Sequence, residues 1–236
     1  MKTIVHKAET RGHANHGWLE SYHTFSFAGY YEPSRVNFGL LRVLNDDLVK
    51  GGMGFGQHPH DNMEIVSIPL HGALEHRDDT GGHAIIRSGE VQIMSAGSGI
   101  AHSERNASNS DEASFLQIWV FPKEADIEPR YEQKPFDRGA RVNKIQTVVS
   151  PDRSNGALWI NQEAWFSLAN LDARGGIEYS MHKNGNGVYL FIIEGQVTAA
   201  GQSLSRRDGL GVYEADKLTL TADQDSEVLL IEVPMK

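Results

Sequence analysis

Short apolar runs, each stopped by a turn signal, recur along almost the whole chain: FGLLRVLND, EIVSIPL, HAIIR, EVQIMS, SFLQIWVF, GVYLFII, QVTAA, KLTLTA and EVLLIEV. They are rich in β-branched and aromatic residues and are bounded by Gly, Asp, Asn or Ser. Strands between tight turns read this way. No long segment carries the i, i+3, i+4 spacing of an amphipathic helix, so an all-β chain is expected. In SFLQIWVF, Phe115, Gln117 and Trp119 share one face, and Leu116, Ile118 and Val120 the other. The 24 glycines among 236 residues exceed the usual ~7% and suit many tight turns.

The two halves of the chain resemble each other. IVSIPLHGALEH and IIRSGEVQIMSAGSG in the first half parallel VYLFIIEGQVTA and LSRRDGLGVYEAD in the second. Gly72 then corresponds to Gly195, and Gly89 to Gly209. Repeated units imply repeated structure, so two similar β-barrels in tandem are expected, residues 1–135 and 136–236, joined near residues 122–145. Residues 123–138, KEADIEPRYEQKPFDR, are charged and contain two prolines; they read as a linker or surface crossing.

The absence of cysteine excludes disulfides, thiolate metal ligands and a cysteine nucleophile. No signal-peptide core opens the chain and no apolar run approaches membrane-spanning length, so a soluble, cytoplasmic protein is expected. The net charge of −9, with no Lys/Arg cluster, argues against direct binding to nucleic acid or anionic membrane. Neither a P-loop nor a dinucleotide fingerprint is present. GMGFGQH is glycine-rich, but no helix follows it to build a phosphate cradle.

The chemistry concentrates in two segments, GFGQHPHDNME and SAGSGIAHSERN. His58 and His60 stand at i and i+2, and so do His102 and Glu104; residues so spaced on a strand project to one face. Two strands offering two inward ligands each put three imidazoles and a carboxylate around one point. Such a nitrogen–oxygen site suits one divalent transition metal, Fe(II), Mn, Co, Ni, Cu or Zn, better than Ca or Mg. Four protein ligands leave two positions on an octahedral ion for a substrate oxygen and O2.

GFGQHPHDNMEIVSIPLHG resembles the first cupin motif, and GEVQIMSAGSGIAHSERN, with His102 and Asn106, the second. Ser95 stands where proline is usual and the turn before His102 is longer. That departure is similar to one branch, the pirin family, as are HPH followed by MSAGSGIAHSE, the early RGHANHGWLESYHTFSFA, and LQIWV. The resemblance implies a bicupin of two jelly-roll barrels. It implies one metal, usually iron, in the first barrel, held by His58, His60, His102 and Glu104. Glu64, a ligand in many other cupins, is then a structural or supporting carboxylate.

Several pirins resemble quercetin 2,3-dioxygenases. The resemblance therefore implies an oxidoreductase that opens flavonols such as quercetin with O2 and releases CO. The metal, most readily Fe(II), would lower the pKa of the flavonol 3-hydroxyl, and Glu104 would take its proton as the catalytic base. Other pirins resemble non-enzymatic, iron-binding, redox-responsive regulators that act through a protein partner; this is the alternative expectation. A purely structural metal fits least, since structural sites usually close with tetrahedral zinc and cysteine.

Counting from Gly195 and Gly209 puts Met181 and Lys183 at the HxH positions of the second barrel, with His182 facing the other way. The counterpart of His102 falls near Leu220 to Ala222. A second barrel without metal is expected, packed on the first. His13, His16 and His23 read as bonded to backbone near turns, the alternatives being a rim to the metal pocket or a second metal site. His71, His76 and His83 read as solvated at hairpin ends. Phe25, Phe27, Phe38 and Trp119 read as barrel core, with a pocket for a flat aromatic as the alternative. Arg42 reads as a partner for an anionic substrate or for the site's carboxylate, or equally as a surface charge on an edge strand.

Overall fold

The computed structural model describes residues 1–236. Its only helical turns are the short segments Ala8–Thr10, Gly139–Arg141 and Arg153–Asn155. The strands form two seven-stranded and two four-stranded sheets. In the first barrel the large sheet has the order Arg130–Pro135, Glu90–Ser95, Glu64–His71, Ala113–Val120, Leu41–Val49, Leu19–His23, Gly12–Asn15. It faces the small sheet Gly54–His60, Ile100–Asn106, Ala73–Asp78, His83–Arg87. The second barrel repeats this order, with Gly209–Tyr213, Asn186–Glu194, Ser226–Pro234 and Trp165–Leu171 at the centre of its large sheet. The strand-and-turn rhythm of the sequence thus gives an all-β bicupin.

The alternation in Ala113–Val120 decides how the barrels meet. Leu116, Ile118 and Val120 point outward into a cluster of 24 buried residues shared with Phe166, Phe191, Leu229 and Ile231 of the second barrel. The two large sheets therefore pack on each other through their outer faces, each fully buried Leu, Ile or Phe contributing about 1.5–3 kcal/mol. Phe115, Gln117 and Trp119 turn inward. The interiors differ in kind. The second barrel is filled by 17 buried apolar residues. The first has only clusters of 5 and 4 at its ends, with polar side chains between.

Three expectations are corrected. Residues 123–138 are not simply a linker: Arg130–Pro135 is a strand paired with Glu90–Ser95. Its one proline, Pro135, is tolerated because the strand lies at a sheet edge, where one side of the backbone needs no ladder partner. The matching edge of the second sheet is filled by the start of the chain, Lys2–His6, paired with Gly209–Tyr213; the His6 ring meets the Tyr189 hydroxyl at 2.9 Å.

The repeat register also shifts. Gly72 and Gly195 do correspond, both turning the chain at positive φ (73° and 91°). Gly89 turns at φ 92°, but in the second barrel that role falls to Arg207 at φ 67°. Gly209 is needed instead for close approach, since a Cβ there would sit 2.1 Å from the Tyr189 hydroxyl. Strand pairing places Tyr179 opposite Leu218 as His58 lies opposite His102, and Leu220 opposite Ile177. The counterparts of the first-barrel pairs are thus Tyr179 and Met181, and Leu218 and Leu220, two residues from the positions reached by counting. Tyr179, Leu218 and Leu220 are buried in the second barrel's core, and the partly buried Met181 packs against it.

Candidate metal centre

His58 and His60 come from the strand Gly54–His60, and His102 from its antiparallel neighbour, directly opposite His58. The three rings converge, with centroids 4.5 Å apart for His58–His102, 4.8 Å for His58–His60 and 4.9 Å for His60–His102. Each offers a nitrogen, and these atoms all lie within 4.8 Å of one another. Glu104 reaches this group from one side: its carboxylate lies within 4.8 Å of nitrogens of His102 and His76, while His58 and His60 fall outside that second set.

Hydrogen bonds fix which nitrogens are free. His58 Nδ1 lies 2.8 Å from the Gly56 carbonyl; a carbonyl only accepts, so Nδ1 carries the proton and Nε2 keeps its lone pair. His102 Nε2 is buried with no protein partner. An orphaned acceptor at the meeting point of three imidazoles fits a metal ion, which would satisfy it. Burial, then the nearby His58, His60 and His76 rings, push the His102 pKa down to about 3. Burial, then His58, push that of His60 down to about 4. Both rings are neutral at pH 7, the form that ligates a cation.

Glu104 is held by the opposite sheet. Gln117 Nε2 donates to Oε2 at 2.7 Å, and Ser67 Oγ donates to Oε1 at a weaker 3.4 Å. Burial pushes the carboxyl up to about 7, against these donors. Gln117 and Ser67 belong to a row of buried polar residues across five strands: His23 pairs with Asn45, Asn45 with Gln117, Gln117 with Ser67, and Ser67 with Gln92. Alternation put Gln117 on one face with Phe115 and Trp119; which face turns inward, and the partners Gln117 meets there, depend on remote segments.

His76 and Asp78 were not recognised as part of the centre. His76, expected to be solvated, is fully buried. Its Nε2 lies 3.0 Å from Asp78 Oδ2 and its Nδ1 3.4 Å from His102 Nδ1. It also stacks on Tyr131 with ring centroids 4.5 Å apart. The signal was present: Leu74, His76 and Asp78 alternate on one strand face. The polar run HRDDTGG, in which His76 and Asp78 themselves stand, disguised it as a solvated hairpin.

Glu64 points out of the barrel. Its Oε2 accepts from Ser95 Oγ at 2.8 Å and from the Asn161 N–H of the second barrel at 3.1 Å. It is a structural carboxylate between the barrels. His71 and His83 are exposed, as expected.

Above the centre opens a cavity of about 800 Å³, lined by His58, His60 and Glu104 and by Phe27, Phe55 and Trp119 among others. The aromatic residues divide. Phe25 and Phe38 belong to the core between the barrels, whereas Phe27 and Trp119 meet edge to face at 5.4 Å in the cavity wall. His13, His16 and His23 all line the cavity. His13 bonds to Glu20 and His23 to Asn45, side chains rather than the expected backbone. Arg42 takes none of the expected roles; it donates to the carbonyls of Ser26 and Val36 and braces the loop between them.

Two tandem cupin barrels, with a cluster of imidazoles at the floor of a cavity in the first alone, define a bicupin with a single candidate metal centre. Two family profiles match the chain: Pirin over residues 4–120 and the quercetinase C-terminal cupin domain over residues 147–233. It is 44% identical over 236 residues to the quercetin 2,3-dioxygenase of Escherichia coli K12, covering 98% of both chains. It is 40% identical over 222 residues to a pirin-like protein of Caulobacter vibrioides, covering 94% of this chain and 95% of that one. The crystal structure of the bacterial pirin YhhW from E. coli in complex with nickel(II) superposes with a TM-score of 0.93 at 42% identity, covering 99% of each chain. The chain belongs to the pirin family.

Proposed function

We propose that the protein is a metal-dependent dioxygenase that opens flavonols such as quercetin with O2 and releases CO. The observation that carries this reading is the convergence of three imidazoles on the floor of an aromatic-walled cavity, with the buried carboxyl of Glu104 beside them. His58, His60, His102 and Glu104 hold one divalent metal, with Fe(II) our choice; the E. coli pirin that this chain resembles was crystallised with nickel(II). Residues 1–135 form the metal-binding unit and 136–236 the unit without a ligand set, although Lys2–His6 is lent to the second sheet.

A bound metal supplies Lewis acidity toward the flavonol 3-hydroxyl and a redox centre for reaction with O2. The chain supplies the rest. Phe27 and Trp119 pack against the flat rings and exclude water. Glu104 takes the hydroxyl proton on Oε1, the oxygen with the weaker hydrogen bond, while Gln117 fixes Oε2. Gly56 and His76 keep the lone pairs of His58 Nε2 and His102 Nε2 turned to the centre.

The test is to incubate protein loaded with Fe(II), Ni(II) or Mn(II) with quercetin, in air and under argon, and to assay CO. Turnover that requires O2 and exceeds that of the free ion supports the reading. Aerobic turnover no higher than that of the free ion rejects it.

A further inference from the structure

The same cavity has a second polar wall, one step along the sheet from the row that holds Glu104. Ser21, Asp47 and Phe115 stand opposite one another on adjacent strands, next to the level of His23 and Asn45. Asp47 and His23 are almost wholly buried (3% and 4% exposed), yet both line the cavity. Ser21 Oγ donates to Asp47 Oδ1, and no protein group donates to Oδ2. His23 Nδ1 lies 3.0 Å from Asn45 Oδ1 and 3.3 Å from Ser21 Oγ.

The hydrogens can be assigned by elimination. Burial pushes the Asp47 carboxyl up to about 7, so above that pH it is ionised and only accepts. Ser21 then gives its one hydroxyl hydrogen to Asp47, and toward His23 its oxygen is an acceptor. Asn45 Oδ1 is an acceptor as well. His23 Nδ1 must therefore carry the proton, which leaves Nε2 as a lone-pair acceptor without a protein partner. Burial, the dominant cause, lowers the His23 pKa and keeps the ring neutral. Above about pH 7 the wall thus presents two unpartnered acceptors, a carboxylate oxygen and an imine nitrogen, in a cavity that otherwise suits flat rings. Buried acceptors without donors are costly, and a ligand bringing hydroxyl hydrogens would satisfy them without burying a cation.

We propose that Asp47 and His23, coupled through Ser21, form a recognition site for neighbouring phenolic hydroxyls, so that the protein selects aromatic substrates bearing a vicinal diol on a ring not bound at the metal. This rests on the flavonol reading for the rest of the substrate.

The test is an anaerobic titration of metal-loaded and metal-free protein with three flavonols of one ring framework. Quercetin has two adjacent hydroxyls on its pendant ring and galangin has none. In the third, both pendant hydroxyls of quercetin are methylated. One net hydrogen bond is worth up to about tenfold in affinity, so quercetin is expected to bind roughly 10- to 100-fold tighter than the other two, with or without metal. In Asp47→Leu and His23→Leu, judged on folded protein by circular dichroism, the preference should shrink to less than about threefold. Equal affinities in the unaltered protein overturn the proposal, and that comparison needs no variant to fold. A preference that appears only with metal also overturns it, because the ion would then be reading the diol. Admitting O2 afterwards tests the reaction separately: failure to turn over any flavonol rejects the dioxygenase reading and leaves the diol preference decided by the titration.

Discussion

His76 and His102 face each other on adjacent strands with their Nδ1 atoms 3.4 Å apart, and neither ring is more than 1% exposed. Asp78 sets the direction of this contact. Burial raises its pKa, but donors from Thr80, Gly82 and His76 outweigh that and bring it down to about 2. An ionised carboxylate only accepts, so His76 Nε2 carries a proton and His76 Nδ1 is the acceptor. His102 Nδ1 is then the donor, and its Nε2 lone pair is the one offered to the centre.

Removing that support should loosen the metal without unfolding the barrel. His76→Phe keeps the stacking on Tyr131 and deletes the acceptor for His102. We expect metal affinity to fall by about 10- to 100-fold, measured by chelator competition with Ni(II) or Co(II). An unchanged dissociation constant would show that His102 needs no outer partner.

The proposed ligands should separate by what they lose. His58→Ala or His102→Ala should purify with little metal but an intact β circular dichroism spectrum, because the core between the barrels does not use them. Glu104→Gln should retain more metal and lose about two to four orders of magnitude in turnover, the usual contribution of a general base. Full activity in a metal-replete Glu104→Gln protein would remove Glu104 from that role.

The carboxyl between the barrels predicts a pH effect on stability away from the metal. Burial pushes Glu64 from its ordinary 4.5 up to about 7, against donors from Asn161 and Ser95 and the charge of Arg130. Below about pH 4.5 the folded and unfolded states are both protonated and nothing changes. Between there and pH 7 the unfolded chain has released the proton and the folded one retains it, so stability falls as pH rises. The loss is complete above pH 7 and amounts to at most about 3 kcal/mol. Glu64→Gln should flatten this part of the profile in urea titrations of the metal-free protein at pH 5 and pH 8. A slope identical to that of the unaltered protein contradicts the assignment.

The exchanged first strand should stabilise the barrel that does not follow it in sequence. Deleting residues 1–7 bares the edge Gly209–Tyr213, takes the His6 partner from the buried Tyr189 hydroxyl and removes the Lys7–Asp208 ion pair. A loss of at least about 2 kcal/mol is expected, chiefly from the unsatisfied buried hydroxyl. It is read as a lower thermal midpoint in metal-free protein. An unchanged midpoint would mean the strand is only laid against the sheet.

The sequence by itself determined what depends on neighbours along the chain. Alternation in SFLQIWVF assigned Leu116 and Ile118 to one face and Gln117 and Trp119 to the other, and spacing put His58 with His60 and His102 with Glu104. These hold because the strand period is two whatever lies opposite. Tertiary structure decided which segments become partners. Only it placed Lys2–His6 on the second sheet, buried His76 against His102, aligned His23, Asn45, Gln117, Ser67 and Gln92 across five strands, and fixed the second barrel's register two residues from the counted one. Pairing between distant strands is set by core packing and hydrogen-bond closure over the whole sheet, and the period within one strand carries no record of it.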